Sequence, residues 1–459
     1  MRNIFLLPLA ILAGCPTRDF CVNGAQRVGD QCILVRDGSS RDQTSDVPPD
    51  RILTDGPADG PVVEICNDID DDGDGYINEG VVVPMMPAVR INVGALLTIN
   101  ELAAAATPDG YVVVWYDGSD GQPRYLLVGT DGVPMGSPVT VAPTPAEEPA
   151  VAVVESRFVV AWIGGVRVYA RSFPLDGGAP SDVVQMNVDP PAKGPSEAVG
   201  FTNCTHVSVI SFGRSSVIAW RCLEGIAATL ASPDLTALSE LRTVYRFVGS
   251  STRNQAPILI PVHPDSPYLL AALVDTRIGD LEQRVYFGEY SPLLTTSDTW
   301  TGVADPTVNA GLAQQAVDSP SDDVSIVTLP VSDLPIPARQ VASVRVQIAG
   351  IGRPIGVGST TVLARERFFF VGAAFAFGGV VETAWIELVG ADVEIIRRTS
   401  TTTGDVFAED RFPILRPLDG EAELAIVRGS ASTGAIFYAE QDSVGGPSQL
   451  LMQRLGCPP

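Results

Sequence analysis

From about residue 88 to the end, the chain runs in short stretches of β-branched and aromatic residues broken by Gly, Pro, Asp and Ser. No stretch repeats its apolar positions with the period of a helix. The stretches recur in sets. Leu102 to Trp115 lines up with Ala150 to Trp162 and with Val207 to Trp220, each reading as strand, tight turn and a second strand ending in Trp. A third strand follows in the first two sets, closing on the dipeptides Asp131-Gly132 and Asp176-Gly177. Weaker copies lie at Ile258 to Val274, Val324 to Leu329, Phe368 to Phe375 and Glu423 to Val427, with Leu273, Thr328, Gly372 and Val427 as anchors. The anchors are spaced 44 to 58 residues apart, which divides the region into seven units of three or four strands. Such a unit cannot bury its apolar faces alone and must share them with its neighbours. The expected fold is therefore all-β, a β-propeller of about seven blades over residues 88–459. A β-sandwich array or a β-solenoid is the alternative, and the repeat length suits blades better than coils.

Large aromatics that end strands at equivalent positions fill the space between sheets, so Trp115, Trp162 and Trp220 are expected in the core rather than on a sugar platform. The apolar run from Phe368 to Val381 is broken by glycine and reads as a buried strand pair, too short for a membrane span. With its hydrophobic strand, terminal Trp and later Asp-Gly turn, the repeat resembles the propeller-like domains of predicted bacterial surface lipoproteins.

The start of the chain agrees with such a location. Arg2 precedes an apolar run from Ile4 to Ala13 and a small-residue cut site, the layout of a secretory signal. Leu12-Ala13-Gly14-Cys15 resembles the bacterial lipobox, which implies removal of residues 1–14 and lipidation of Cys15. Each buried methylene of the attached chains would contribute about 0.8 kcal/mol of anchoring. Pro16 stands where that family's inner-membrane retention signal carries Asp, which implies delivery to the outer membrane or cell surface. Residues 15–36 then form the lipidated N-terminus with a small hairpin. The Asp/Pro/Gly-rich segment 37–61 cannot bury enough apolar surface to order itself, and is expected to be a disordered acidic tether.

Of 459 residues, 45% are apolar, ample for a large core. Thirty Lys and Arg against 54 Asp and Glu give a net charge of -24, which repels nucleic acid and anionic surfaces and favours cations. With Cys15 lipidated, six of the seven cysteines remain, an even number suited to bridges in an exported chain. Proximity suggests Cys21 with Cys32 and Cys204 with Cys222, leaving Cys66 and Cys457, although sequence alone does not decide among the possible connectivities.

Residues 62–82 hold the most specific chemistry. In the register starting at Asp70, carboxylates of Asp70, Asp72 and Asp74 alternate before a turn at Gly75, Tyr76 offers its carbonyl and Asn78 follows. Hard cations take oxygen ligands in this pattern, so calcium is expected there. Val81 replaces the bidentate Glu of a calcium loop, and Glu79 is the substitute; a register from Asp68 puts Glu79 at the last position instead. The segment also resembles a short Cys-Asn-Gly-x-Asp-Asp-Asp-Cys-Asp-Gly metal-binding motif of secreted bacterial lipoproteins. Gly73 stands in place of that motif's second Cys, so the resemblance leaves Cys66 without its local partner and directs it to Cys457.

Catalytic signatures are missing. His206 and His263 are the only histidines, each expected to be structural, and no nucleophile elbow, zinc helix or P-loop occurs. The expectation is a non-enzymatic, monomeric, lipid-anchored surface protein that binds a protein or a glycan. An extracellular propeller hydrolase acting on glycans or esters is the alternative, and a structural envelope component is a third.

Overall fold

The computed structural model describes residues 82–91, most of 99–246 and the strands that follow up to 457, together with Cys66 and the short strands within 25–34. The chain forms two compact units, Met1–Gly60 and Pro61–Pro459. In the first, β1 (Ala25–Val28) pairs antiparallel with β2 (Gln31–Leu34), a hairpin in the segment where one was expected. The Cys21–Cys32 pairing, Cys15, the 37–61 tether and the Asp68–Glu79 motif lie outside the described residues.

The second unit opens with β3 (Val83–Ile91), so its first strand begins ahead of the expected start at residue 88. Seven four-stranded antiparallel sheets are built from the rest, and no helix occurs among the described residues. The first sheet holds β4 (Ile99–Thr107), β5 (Gly110–Asp117), β6 (Gln122–Gly129) and β7 (Val139–Thr140). The second holds β8 (Glu147–Val154), β9 (Arg157–Gly164), β10 (Arg167–Pro174) and β11 (Val184–Gln185). In the third are β12 (Thr205–Phe212), β13 (Ser215–Cys222), β14 (Gly225–Ala231) and β15 (Arg242–Arg246). The fourth runs through β16 (Ile258–Pro261), β17 (Leu269–Asp275), β18 (Arg284–Tyr290) and β19 (Trp300–Gly302). The fifth runs through β20 (Ala310–Val317), β21 (Asp323–Pro330), β22 (Gln340–Gln347) and β23 (Gly356–Arg365). The sixth comprises β24 (Phe368–Phe377), β25 (Val380–Val389), β26 (Asp392–Thr401) and β27 (Val406–Ile414). In the seventh, β28 (Leu424–Ser430), β29 (Thr433–Gln441) and β30 (Ser448–Gly456) receive β3 as fourth strand. Successive first strands lie against one another in sequence order, and β28 lies against β4. The architecture is propeller-like.

The repeat has a fixed internal address. Trp115, Trp162, Trp220 and Trp385 are each the sixth residue of a second strand, and Tyr438 holds that place in β29. Gly372 and Val427, expected as anchors, sit in β24 and β28, one strand too early. The first strand β24, with five Phe residues, is as apolar as any second strand, and hydrophobicity alone does not separate the two.

Second strands are buried on both faces, which explains their continuous apolar runs. Val113 and Trp115 join a core shared with Phe437 and Met452 of the seventh sheet, while Val112 and Val114 join one shared with Phe158 and Trp162 of the second. Val159 and Ala161 face the third sheet, in a core with Ile218 and Trp220. Each of these three Trp side chains thus fills the gap toward the preceding sheet. Apolar surface is buried between sheets, so a single sheet has no core of its own.

Turns after the third strands are also shared. Asp131 and Asp176 each accept a hydrogen bond from the backbone N–H two residues on, at 2.9 and 3.0 Å, and Gly132 and Gly177 adopt φ of 85° and 79°. Asp234 does the same for Thr236, with Leu235 at φ 61° in the glycine's place. The third sheet therefore keeps the turn without the Asp-Gly signature.

Candidate functional site

Three first strands begin with the same irregularity. β4, β8 and β12 shift register between Asn100 and Leu102, Glu147 and Ala150, and Thr205 and Val207. Glu101, Glu148 and His206 occupy these bulges with φ of 51°, 52° and 45°. Left-handed backbone at a residue with a side chain costs roughly 1–3 kcal/mol, and such strain collects at functional sites. The three side chains are linked: the Glu148 N–H donates to Glu101 Oε2, and His206 Nδ1 meets Glu148 Oε2. His206 Nε2 is buried with no hydrogen-bond partner.

Other charges gather at this end of the first sheet. Asp117, 1% exposed, accepts from the Ser119 N–H at 3.0 Å and from its hydroxyl at 2.6 Å, and pairs with Arg124 Nε at 3.0 Å. Arg124 also reaches Asp120. Partial burial raises the Tyr116 phenol pKa, and Glu147, Glu101, Asp120 and Asp117 raise it further by their negative charge. Carboxylates, one Arg, one Tyr and one His thus converge where the first three sheets meet. Among the described residues no His, Cys, Asp and Glu cluster has the geometry of a metal site.

At the opposite end of the β4–β5 hairpin, a cavity of about 340 Å³ lies between the seventh and first sheets. Met85, Tyr111, Ser432, Thr433, Arg454 and Leu455 are among the residues that line it. The Cys66–Cys457 disulfide closes beside it, with the Cα atoms 5.6 Å apart, and so joins the segment before β3 to the end of β30. A second disulfide, Cys204–Cys222, spans the mouth of the β12–β13 hairpin.

A third polar cluster ties the sixth sheet to the seventh. Glu382 of β25, 3% exposed, receives Arg397 of β26 and Arg428 of β28, the latter at 2.8 Å, while Arg397 also donates to Asp410 at 2.7 Å. Burial pushes the Glu382 carboxyl up, but the two guanidinium charges and their hydrogen bonds outweigh it and hold its pKa low. This cluster is a brace, with its charges facing one another.

Of the residues singled out in sequence, Cys66, Cys457, Cys204 and Cys222 are described and bonded in the two pairs just given. Trp115, Trp162 and Trp220 are at most 1% exposed, as expected of core residues, and Trp385 shares that burial. His206, expected to be structural, sits in the polar chain beside Glu148; His263 lies outside the described residues. Glu101 and Glu148 carried no motif. One signal was present: Glu101, Glu148 and His206 each precede the Trp of their sheet by 14 positions.

No family model matches the sequence, and no curated protein does. Solved structures align with it at low identity. A protein of unknown function from Dyadobacter fermentans is 10% identical, with 82% of this chain covering 100% of that one at a TM-score of 0.47. The β-propeller domain of the Trilobed protease from Pyrococcus furiosus is 8% identical, covering 80% and 96% at 0.42. A polysaccharide lyase is 10% identical, covering 82% and 100% at 0.47. No role passes from them to this chain.

Proposed function

We propose that this chain is a lipid-anchored extracytoplasmic protein whose seven sheets close as the blades of a propeller, and that it binds a protein or glycan rather than transforming one. The observation that carries the reading is the Glu101–Glu148–His206 chain, three strained polar residues repeated at one end of neighbouring sheets. Polar side chains presented by irregular backbone on rigid strands suit a recognition face. Two disulfides support an oxidising location, as exported proteins have. In this reading Cys15 carries the anchor, and Asp68, Asp70, Asp72, Asp74, Tyr76, Asn78 and Glu79 hold calcium that stiffens the segment leading into β3.

The same geometry favours one second reading, a hydrolase. Glu148 meets His206 Nδ1 and holds the ring, as a carboxylate orients the imidazole of a hydrolase.

The test is expression with labelled palmitate in a bacterium that processes lipoproteins, followed by surface proteolysis. Label should enter the wild type and be lost from Cys15→Ala, and calcium should slow cleavage within residues 62–82. Label retained by Cys15→Ala would overturn the anchor, and cleavage indifferent to calcium would remove the ion. Hydrolysis of aryl glycosides or esters that disappears in His206→Asn would replace binding by the second reading.

A further inference from the structure

The two disulfides have unlike surroundings. Cys204 and Cys222 are 1% and 2% exposed, and they flank the paired strands β12 and β13 inside the third sheet. Cys66 and Cys457 are both partly exposed, and they tie the end of β30 to a segment whose hold on the seventh sheet is β3. β3 is weakly paired. In Val83-Pro84-Met85-Met86-Pro87-Ala88-Val89-Arg90-Ile91 the two prolines bring no N–H to the ladder. Its pairing with β30 breaks between Met85 and Val89, where Met86, Pro87 and Ala88 stand against Gln453 alone. Gln453 Nε2 spans the break by donating to the Met85 carbonyl at 3.0 Å. On the other side of β30, nine unbroken pairs join it to β29.

Packing is thin at the same end. The cavity of about 340 Å³ borders Met85, Leu455, Gly456 and Cys457, so the start of β3 and the bridge lie beside open space rather than close-packed core. Val82 is buried there, and at the far end Ile91 is 1% exposed in the core shared with the first sheet. β3 is thus fixed at Ile91, and held at Val83 by a short ladder, one buried valine and the bridge. It is also the outermost strand of its sheet, so its first residues can leave without parting any other pair of strands.

A disulfide resists reduction when the fold keeps its two thiols together after they form, and yields when they can part. We propose that Cys66–Cys457 is an exchangeable bridge, a redox latch on β3 opened by a dithiol reductant, while Cys204–Cys222 is permanent. A thiolate of the reductant attacks one sulfur of the bridge; the S–S bond breaks as the new one forms, and the other cysteine leaves as a thiolate that takes up a proton. The reductant's second thiolate then displaces the first cysteine from the mixed disulfide. Two electrons and two protons pass to Cys66 and Cys457, and the dithiol becomes a disulfide. β3 then peels from Val83 toward Ile91 and bares the edge of β30. The latch requires neither a lipid on Cys15, nor calcium, nor the Glu101–Glu148–His206 chain.

The full chain, held in graded ratios of reduced to oxidised dithiothreitol at neutral pH and sampled by alkylation and peptide mapping, tests this. Cys66 and Cys457 should be alkylated about tenfold faster, or more, than Cys204 and Cys222. In the chain reduced at that bridge alone, hydrogen exchange in Val83–Ile91 should speed up about tenfold or more while β29 keeps its protection. Excess oxidised dithiothreitol should restore both the bridge and the protection of β3. The latch is overturned if the two bridges open at the same rate or Cys204–Cys222 opens first. It is equally overturned if Cys66–Cys457 opens only as β29 loses protection, or if β3 exchanges no faster once the bridge is reduced.

Discussion

Trp385 and Trp220 occupy the same address in different sheets, and their indole nitrogens differ. Trp385 Nε1 donates to Glu387 Oε2 at 3.0 Å, whereas the Nε1 of Trp115, Trp162 and Trp220 are buried without hydrogen-bond partners. For Trp220 the contribution is packing, and Trp220→Phe loses apolar area alone. Trp385→Phe additionally removes a hydrogen bond to a carboxylate that is 2% exposed. Its cost should exceed that of Trp220→Phe by about 1–3 kcal/mol in urea unfolding. Equal costs would mean that the Glu387 contact contributes nothing. At this scale the sequence was legible where side chains are large and apolar. It was less so at Leu235, where a buried Leu takes left-handed backbone that glycine takes in the first two sheets.

Between elements, polar contacts matter as much as apolar ones. Glu382, Arg397, Asp410 and Arg428 come from four consecutive strands and brace the sixth sheet to the seventh. The folded pKa of Glu382 is lowered, so its contribution is fully present above the unfolded value of about 4.3 and is lost as pH falls through the lower folded value. Unfolding free energy should therefore decline below about pH 4.5, and less steeply in Glu382→Gln. That substitution leaves two buried guanidinium groups short of an anion and should cost about 3–5 kcal/mol at pH 7. A parallel acid profile in wild type and variant would show that Glu382 is not the titrating group. The bulges are also features of elements: β20 and β24 carry them too, with Ala313 and Gln314, and Phe370 and Val371, where the first three sheets place Glu or His. Bulged backbone belongs to the repeat; the polar chain does not.

For the whole molecule, the decisive contact is between the ends. β3 completes the seventh sheet by pairing with β30, and Cys66–Cys457 holds it there across 391 positions. In the loop-entropy model so long a loop contributes up to about 6 kcal/mol, against about 3 kcal/mol for Cys204–Cys222, with a separation of 18. Cys457→Ser should therefore lower the melting temperature more than Cys222→Ser, and hydrogen exchange should speed up first in Val83–Ile91. Protection of that strand unchanged in Cys457→Ser would show that β-pairing alone secures it.

Local chemistry sufficed for the strands, the first three repeats and their Trp positions, because period, turn residues and burial of large side chains are properties of short segments. It was enough as well to make Cys66 and Cys457 candidates for a closing pair, through their lack of nearer partners. Tertiary structure decided where β24 and β28 fall in their sheets, since a first strand and a second strand can be equally apolar. It also decided that Glu101, Glu148 and His206 meet, and that Tyr111 shares a cavity with Arg454. Those residues are far apart in the chain, and only the stacking of one sheet against the next brings them together.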